Sequence, residues 1–121
     1  MRPYILENIF EKGEKEPYEF DVSDNCFSKF VKLENVETEP EIHENWTDIY
    51  IVLEGNAVLT IGERLIDSKE TEKGEFRGGT IVNPEEKELK KGSIAVITAG
   101  YAHKLKIGKG FSQLVVKVRT R

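Results

Sequence analysis

The run Asp48-Ile-Tyr-Ile-Val-Leu-Glu54 is rich in β-branched residues, is the clearest strand, and constrains the fold of this chain more than any other segment. Successive side chains of a strand point to opposite faces. Ile49, Ile51 and Leu53 therefore share one face, and Asp48, Tyr50 and Val52 share the other. Glu54-Gly55-Asn56 supplies a turn with Gly55 expected at positive φ, and Ala57 to Ile61 is the return strand. Gly62-Glu63 fits a two-residue hairpin into Arg64 to Asp67. Ser68 to Gly74 reads as a polar loop, and Gly78 to Val82 as a short strand ended by Asn83-Pro84. Ile94 to Ile97, His103 to Ile107 and Phe111 to Arg119 follow as strands, with Tyr18 to Val22 and Phe27 to Leu33 before them. Short strands, frequent turn signals and no helical period predict an all-β sandwich or barrel.

Both faces of the 48–54 strand carry apolar residues, whereas a strand with one solvated face alternates cleanly. One face then lies in the interior and the other under a second sheet or subunit. A homodimer is expected, sharing Ile49, Ile51, Leu53 and alternate positions of Phe111 to Arg119.

Composition narrows the functional classes. A chain of 121 residues has the length of one domain (1–121) and can bury a core without disulfide or zinc staples. Its 38% hydrophobic content is too high for a disordered chain, and no uncharged stretch is long enough for a membrane-spanning helix. With 18 basic against 22 acidic residues and no basic block, nucleic acid is not an expected partner. The single cysteine, Cys26, excludes an intrachain disulfide and a multi-thiolate zinc site. It reads as a small buried hydrophobe. A cytoplasmic location is expected from that cysteine count and from Met1 to Asn8, which lacks the apolar run of a secretory signal.

Two histidines carry most of the chemical interest. His103 lies on the apolar face of its strand with Leu105 and Ile107, opposite Lys104 and Lys106. Glu41 and His43 are two apart, so an extended backbone turns them to one side. Asp48 shares a face with Tyr50. Two imidazoles and two carboxylates form a mixed N/O donor set that suits Zn, Mn, Fe or Ni. The same residues also fit a core histidine bonded to a backbone carbonyl and solvated acids at a strand end. Spacing leaves both open.

The segment from Glu41 through His43 and Asp48 to Gly55 resembles the first motif of the cupin superfamily: H-x-H, three or four residues, Glu, six residues, Gly. The segment 92–107, with Gly92, Gly100 and His103, resembles the second: Gly, five residues, P-x-G, two residues, His, three residues, Asn. The 36 residues between them (56–91) are a length this family tolerates. Glu41 stands in place of the first histidine, Asp48 in place of Glu, Thr98 in place of the proline and Ile107 in place of the final Asn. The stretch His43-x-x-Trp46-x-Asp48, followed by Gly74-Glu-Phe-Arg77-Gly78, is similar to a subgroup of small bacterial and archaeal cupins of unassigned reaction.

The resemblance implies an antiparallel jelly-roll β-barrel with a divalent transition metal (Mn, Fe, Ni or Zn) on Glu41, His43, Asp48 and His103. Its function would be to bind or transform a small molecule by oxidation, isomerisation or decarboxylation. A metal-free enzyme acting on a sugar or keto acid is the alternative. There His43 or His103 is the general base, oriented by Asp48, and Tyr50 the acid. A non-catalytic ligand-binding module is the third reading. Trp46 and Tyr101 are expected at the rim, and Arg77 in a surface ion pair. Unperturbed imidazoles would release metal as the pH falls through about 6, and Glu41→Gln would weaken binding less than loss of either histidine.

Overall fold

Antiparallel sheets pack around one core in the computed structural model, which describes Leu6, Asn8 and residues 18–121. In chain order the first seven strands are β1 (Tyr18–Ser23), β2 (Cys26–Leu33), β3 (Val36–Glu37), β4 (Glu41–His43), β5 (Trp46–Glu54), β6 (Asn56–Gly62) and β7 (Leu65–Ile66). The others are β8 (Lys69–Glu72), β9 (Glu75–Arg77), β10 (Thr80–Ile81), β11 (Glu85–Lys90), β12 (Ile94–Ile97), β13 (Ala102–Ile107) and β14 (Phe111–Arg119). Among the described residues there is no helix. One sheet runs β1-β2-β14-β5-β12. The other runs β11-β6-β13-β4-β9-β8, with β3 against β13, and β7 and β10 form a separate ribbon. This is the expected antiparallel jelly-roll barrel.

The core joins both sheets. Tyr50 and Val52 of β5, Ile97 of β12, and Phe111 and Val115 of β14 meet Ala57 and Leu59 of β6, Leu89 of β11, and Leu105 and Ile107 of β13. Tyr50 and Val52 are buried, whereas Ile49, Ile51 and Leu53 on the opposite face of β5 are half-buried. Beside them, Ile94 and Val96 of β12 are 69% and 58% exposed.

The structure corrects three local expectations. Arg64 to Asp67 does not return along β6, because both edges of β6 are taken, by β11 and by β13. The segment instead supplies β7, which pairs with β10. The expected loop 68–74 contains β8, paired with β9; its four residues are exposed, so no hydrophobic alternation marks it. The highly charged β11 was also invisible to periodicity, since only Leu89 of its six residues is buried. Cys26 is only partly buried, at the start of β2.

Gly55 sits at φ 75° as expected. A Cβ there would lie 2.8 Å from the Gly110 carbonyl oxygen and from Phe111 Cα, both rigid backbone. Strained φ and steric clash add, so Gly55→Ala should cost about 2 kcal/mol or more. A urea midpoint unchanged by the substitution would refute this account of the turn.

Candidate metal centre

Cross-strand register builds the site. Glu41 of β4 pairs with His103 of β13 on one side and Arg77 of β9 on the other. One strand pair along, His43 pairs with Glu75. In the facing sheet Asp48 of β5 pairs with Lys117 of β14. Opposed residues bring their side chains together, so these pairings become contacts. His43 Nδ1 lies 2.6 Å from Glu75 Oε1, Arg77 Nη1 lies 3.2 Å from Glu41 Oε2, and Lys117 Nζ donates to Asp48 Oδ1 at 2.6 Å. The loop leading to His103 is pinned from below. Gly100 N donates to the His43 carbonyl oxygen, Ala99 N to Thr47 Oγ1, and Arg121 Nη1 to the Ala99 carbonyl oxygen.

Both imidazoles are oriented by their Nδ1 atoms. His103 Nδ1 faces the Tyr101 carbonyl oxygen at 3.1 Å, and His43 Nδ1 faces the Glu75 carboxylate. Each partner is an acceptor, so each Nδ1 carries a proton and each ring presents its Nε2 to the Glu41 and Asp48 carboxylates. The ring centroids are 5.2 Å apart, and both Nε2 atoms are buried without a hydrogen-bond partner. Glu41 Oε1 lies 3.4 Å from His43 Nε2 and 3.7 Å from His103 Nε2. Asp48 Oδ2 lies 3.6 and 3.5 Å from the same two atoms.

These separations exceed the ~2.9 Å of an N–H···O hydrogen bond. They are distances over which two donor atoms could share one ion standing about 2.1 Å from each. The residues therefore fit a divalent metal. The ligand atoms of Glu41, His43 and His103 all lie within 4.8 Å of one another. Asp48 reaches the same place with one oxygen while its other holds Lys117.

Charges in the site move several protonation equilibria. Burial pulls the His103 pKa down, but the facing Asp48 and Glu41 carboxylates more than offset this and hold it up at about 9. Burial raises the Glu41 carboxyl, and the two imidazoles overcome that to place it well below the usual carboxylate range. Asp48 is lowered too, with His103 and Lys117 outweighing its burial. The phenol of Tyr50, on the inward face beside Asp48, is pushed well above its ordinary value by burial and by the Asp48 and Glu41 charges. Tyr50 therefore stays protonated.

The five residues expected from sequence to bind metal or act in catalysis (Glu41, His43, Asp48, Tyr50 and His103) lie together, Tyr50 beside Asp48. Lys117 and Glu75 were missed. Arg77 makes the surface ion pair expected of it, and its partner is Glu41. Trp46 lies at the rim, packed edge-on against Phe27 with the Arg119 guanidinium 4.8 Å from its ring centroid, and Tyr101 is exposed. A cleft of about 660 Å³ opens outside the site between Trp46, Glu75, Arg77 and Lys117. A smaller cavity of about 160 Å³ borders Glu41, Asp48, Tyr50 and Lys117 from within.

The sequence matches no family model and no curated protein. Solved structures do match. A Bacillus halodurans protein superposes with a TM-score of 0.73 at 14% identity, over 99% of this chain and 83% of its own. The hydroquinone 1,2-dioxygenase PnpCD, in complex with Cd²⁺ and 4-hydroxybenzonitrile, superposes with a TM-score of 0.69 at 18% identity over the same shares of the two chains. A cupin-2 domain protein of Shewanella frigidimarina gives 0.62 at 20% identity over 94% of this chain and 95% of its own. With these neighbours, the two-sheet topology and both histidines at one end of the barrel, the chain has the cupin fold.

Proposed function

We propose that this protein holds a divalent transition metal on Glu41, His43 and His103, with Asp48 at the edge of the site, and binds or transforms a small molecule beside it. The observation that carries the reading is the pair of buried, unpartnered Nε2 atoms, each fixed by an acceptor on its own Nδ1 and facing the other across two carboxylates. Orphaned ring nitrogens are costly in an interior unless something occupies the space between them. Two imidazoles and one carboxylate with open positions favour Fe(II), and Mn, Ni and Zn are the other metals such donors take. The Cd²⁺ complex of the dioxygenase neighbour supports a divalent ion in this fold. Such an ion would polarise a substrate oxygen or supply dioxygen chemistry. The chain's own contribution is orientation: Glu75 fixes His43, the Tyr101 carbonyl fixes His103, and Lys117 holds one oxygen of Asp48, which would leave only the other for an ion. Mass spectrometry of protein purified from defined medium should find about one metal per chain. Retention of none after challenge with Mn, Fe, Ni and Zn would sink the proposal.

One observation favours a metal-free reading. With its pKa at about 9, His103 in the metal-free protein is an imidazolium at neutral pH, suited to acid rather than base catalysis. Activity on a sugar or keto acid that survives exhaustive chelation would favour it.

A second copy of the chain is the proposed cover for the outer face of the five-stranded sheet. Ile94 and Val96 stand in register with Ile51 and Ile49, which also pair with Leu114 and Val116, so the apolar surface continues across three strands. Light scattering should return about 28 kDa, twice the chain mass of 13.8 kDa. The double variant Ile94→Glu/Val96→Glu should return about 14 kDa, and a wild-type monomer at micromolar concentration would contradict the dimer.

A further inference from the structure

The cavity of about 160 Å³ inside the barrel has a polar wall that the metal reading leaves unexplained. Gln113, the chain's only glutamine, points inward from β14 and is 3% exposed. Its side-chain oxygen has no hydrogen-bond partner. Lys29 of β2 lines the same cavity, diagonal to Gln113 across the β2–β14 ladder, where Val115 is its register partner. Among the described residues no carboxylate pairs with Lys29, whereas Lys117 at the other end of the cavity is tied to Asp48. Apolar neighbours would have filled this space at no cost in unpaired polar groups. The described residues place there a lysine with no carboxylate partner and, on a side chain about 97% removed from solvent, an amide oxygen with nothing to bond.

We infer that this cavity is a subsite for a small organic acid that also carries a hydroxyl group, its carboxylate on Lys29 and its hydroxyl on Gln113. A hydroxyl both donates and accepts, so it satisfies the amide whichever way the oxygen and nitrogen are turned. An ammonium that no carboxylate neutralises selects an anion. At about 30 Å³ per water, the volume holds roughly five waters, which matches an acid of about six non-hydrogen atoms. Glu41 and Asp48 border the cavity, so the bound molecule lies against the proposed metal centre. As the substrate class of that centre the inference rests on the metal reading; as a binding subsite it is tested without it.

The probes are lactate, propionate (which lacks the hydroxyl) and 1,2-propanediol (which lacks the carboxylate), titrated by ¹⁵N-resolved NMR. Protein as purified and protein freed of metal with chelator are both used, because a hydroxy acid also chelates metals. In the metal-free sample lactate should bind at least tenfold more tightly than either of the others. Lys29→Met should abolish the preference for lactate over propanediol. Gln113→Leu should abolish the preference for lactate over propionate while leaving the effect of Lys29 intact. Equal binding of the three probes, or no lactate binding to the metal-free protein, overturns the inference. A lactate preference seen only before chelation also overturns it, because that belongs to the metal. Absence of retained metal with the lactate preference intact would remove the metal reading and keep the subsite.

Discussion

His43→Ala and His103→Ala are each expected to lower the affinity for divalent metal by a hundredfold or more. These two rings supply the only nitrogen donors in the set, and each is locked by a separate Nδ1 partner, so neither can take over the other's position. Loss of even an outer partner of a ligating histidine commonly costs ten- to a hundredfold. Glu75→Gln should therefore fall between wild type and the alanine variants. Glu41→Gln should rank with the histidine variants rather than below them, because Oε1 of Glu41 faces both Nε2 atoms. Asp48→Asn is different in kind. Its main contact is with the buried Lys117 ammonium, so removing its charge strands that cation at a cost of about 3 kcal/mol, with a smaller effect on metal. Metal titrations and urea unfolding on the same variants separate the two effects. If His43→Ala keeps its metal, or Asp48→Asn loses metal without losing stability, the assignment of roles is wrong.

The strands that build the barrel were largely legible because β5, β13 and β14 alternate, and because Gly55 and Gly100 occupy positive-φ turns where the sequence placed turns. Which way those strands face was less legible. On β14 the more apolar set, Leu114, Val116 and Val118, lies outward and only half-buried, while Gln113 and Lys117 are buried inside. On β5 Asp48 points inward and Ile49 and Ile51 outward. Hydrophobic alternation alone would turn both strands over; on β5 the candidate ligand Asp48 marked the inner face and left Ile49, Ile51 and Leu53 for the outer one, whereas β14 carried no such marker. The partners of the candidate ligands escaped for another reason. Lys117 is 69 positions from Asp48, and Glu75 is 32 from His43. Only strand register joins them, and register is set by the whole sheet rather than by spacing along the chain. Glu41 and His103 were identified separately, and their direct pairing across β4 and β13 came from the same source.

Metal-free protein should lose stability as the pH rises from about 6.5 to 9, and bound metal should cancel that loss. His103 titrates at about 9 in the folded chain against an ordinary 6.5. A raised pKa means that the folded state holds the proton more tightly. The resulting stabilisation, of order 3 kcal/mol, is complete below about 6.5 and vanishes as the pH climbs through about 9. Glu41 and Asp48 act in the opposite sense. Their lowered pKa values stabilise the fold above the ordinary carboxylate range and cease to do so as the pH falls through it and below. Metal-free protein is then most stable between about pH 5 and 6.5. A bound ion needs the neutral ring and so competes with the His103 proton. Its apparent affinity should rise about tenfold per pH unit until about pH 9. Unperturbed imidazole places that change near pH 6; the two carboxylates carry it upward, and the ion relieves on binding the same cluster of charge that raised the pKa. Thermal unfolding between pH 5 and 10, with and without metal, reads both effects. The metal-free midpoint should decline above pH 6.5 while the gap between the two curves widens. A flat metal-free curve, or a gap that closes as the pH rises, would contradict the linkage between His103, its carboxylates and the ion.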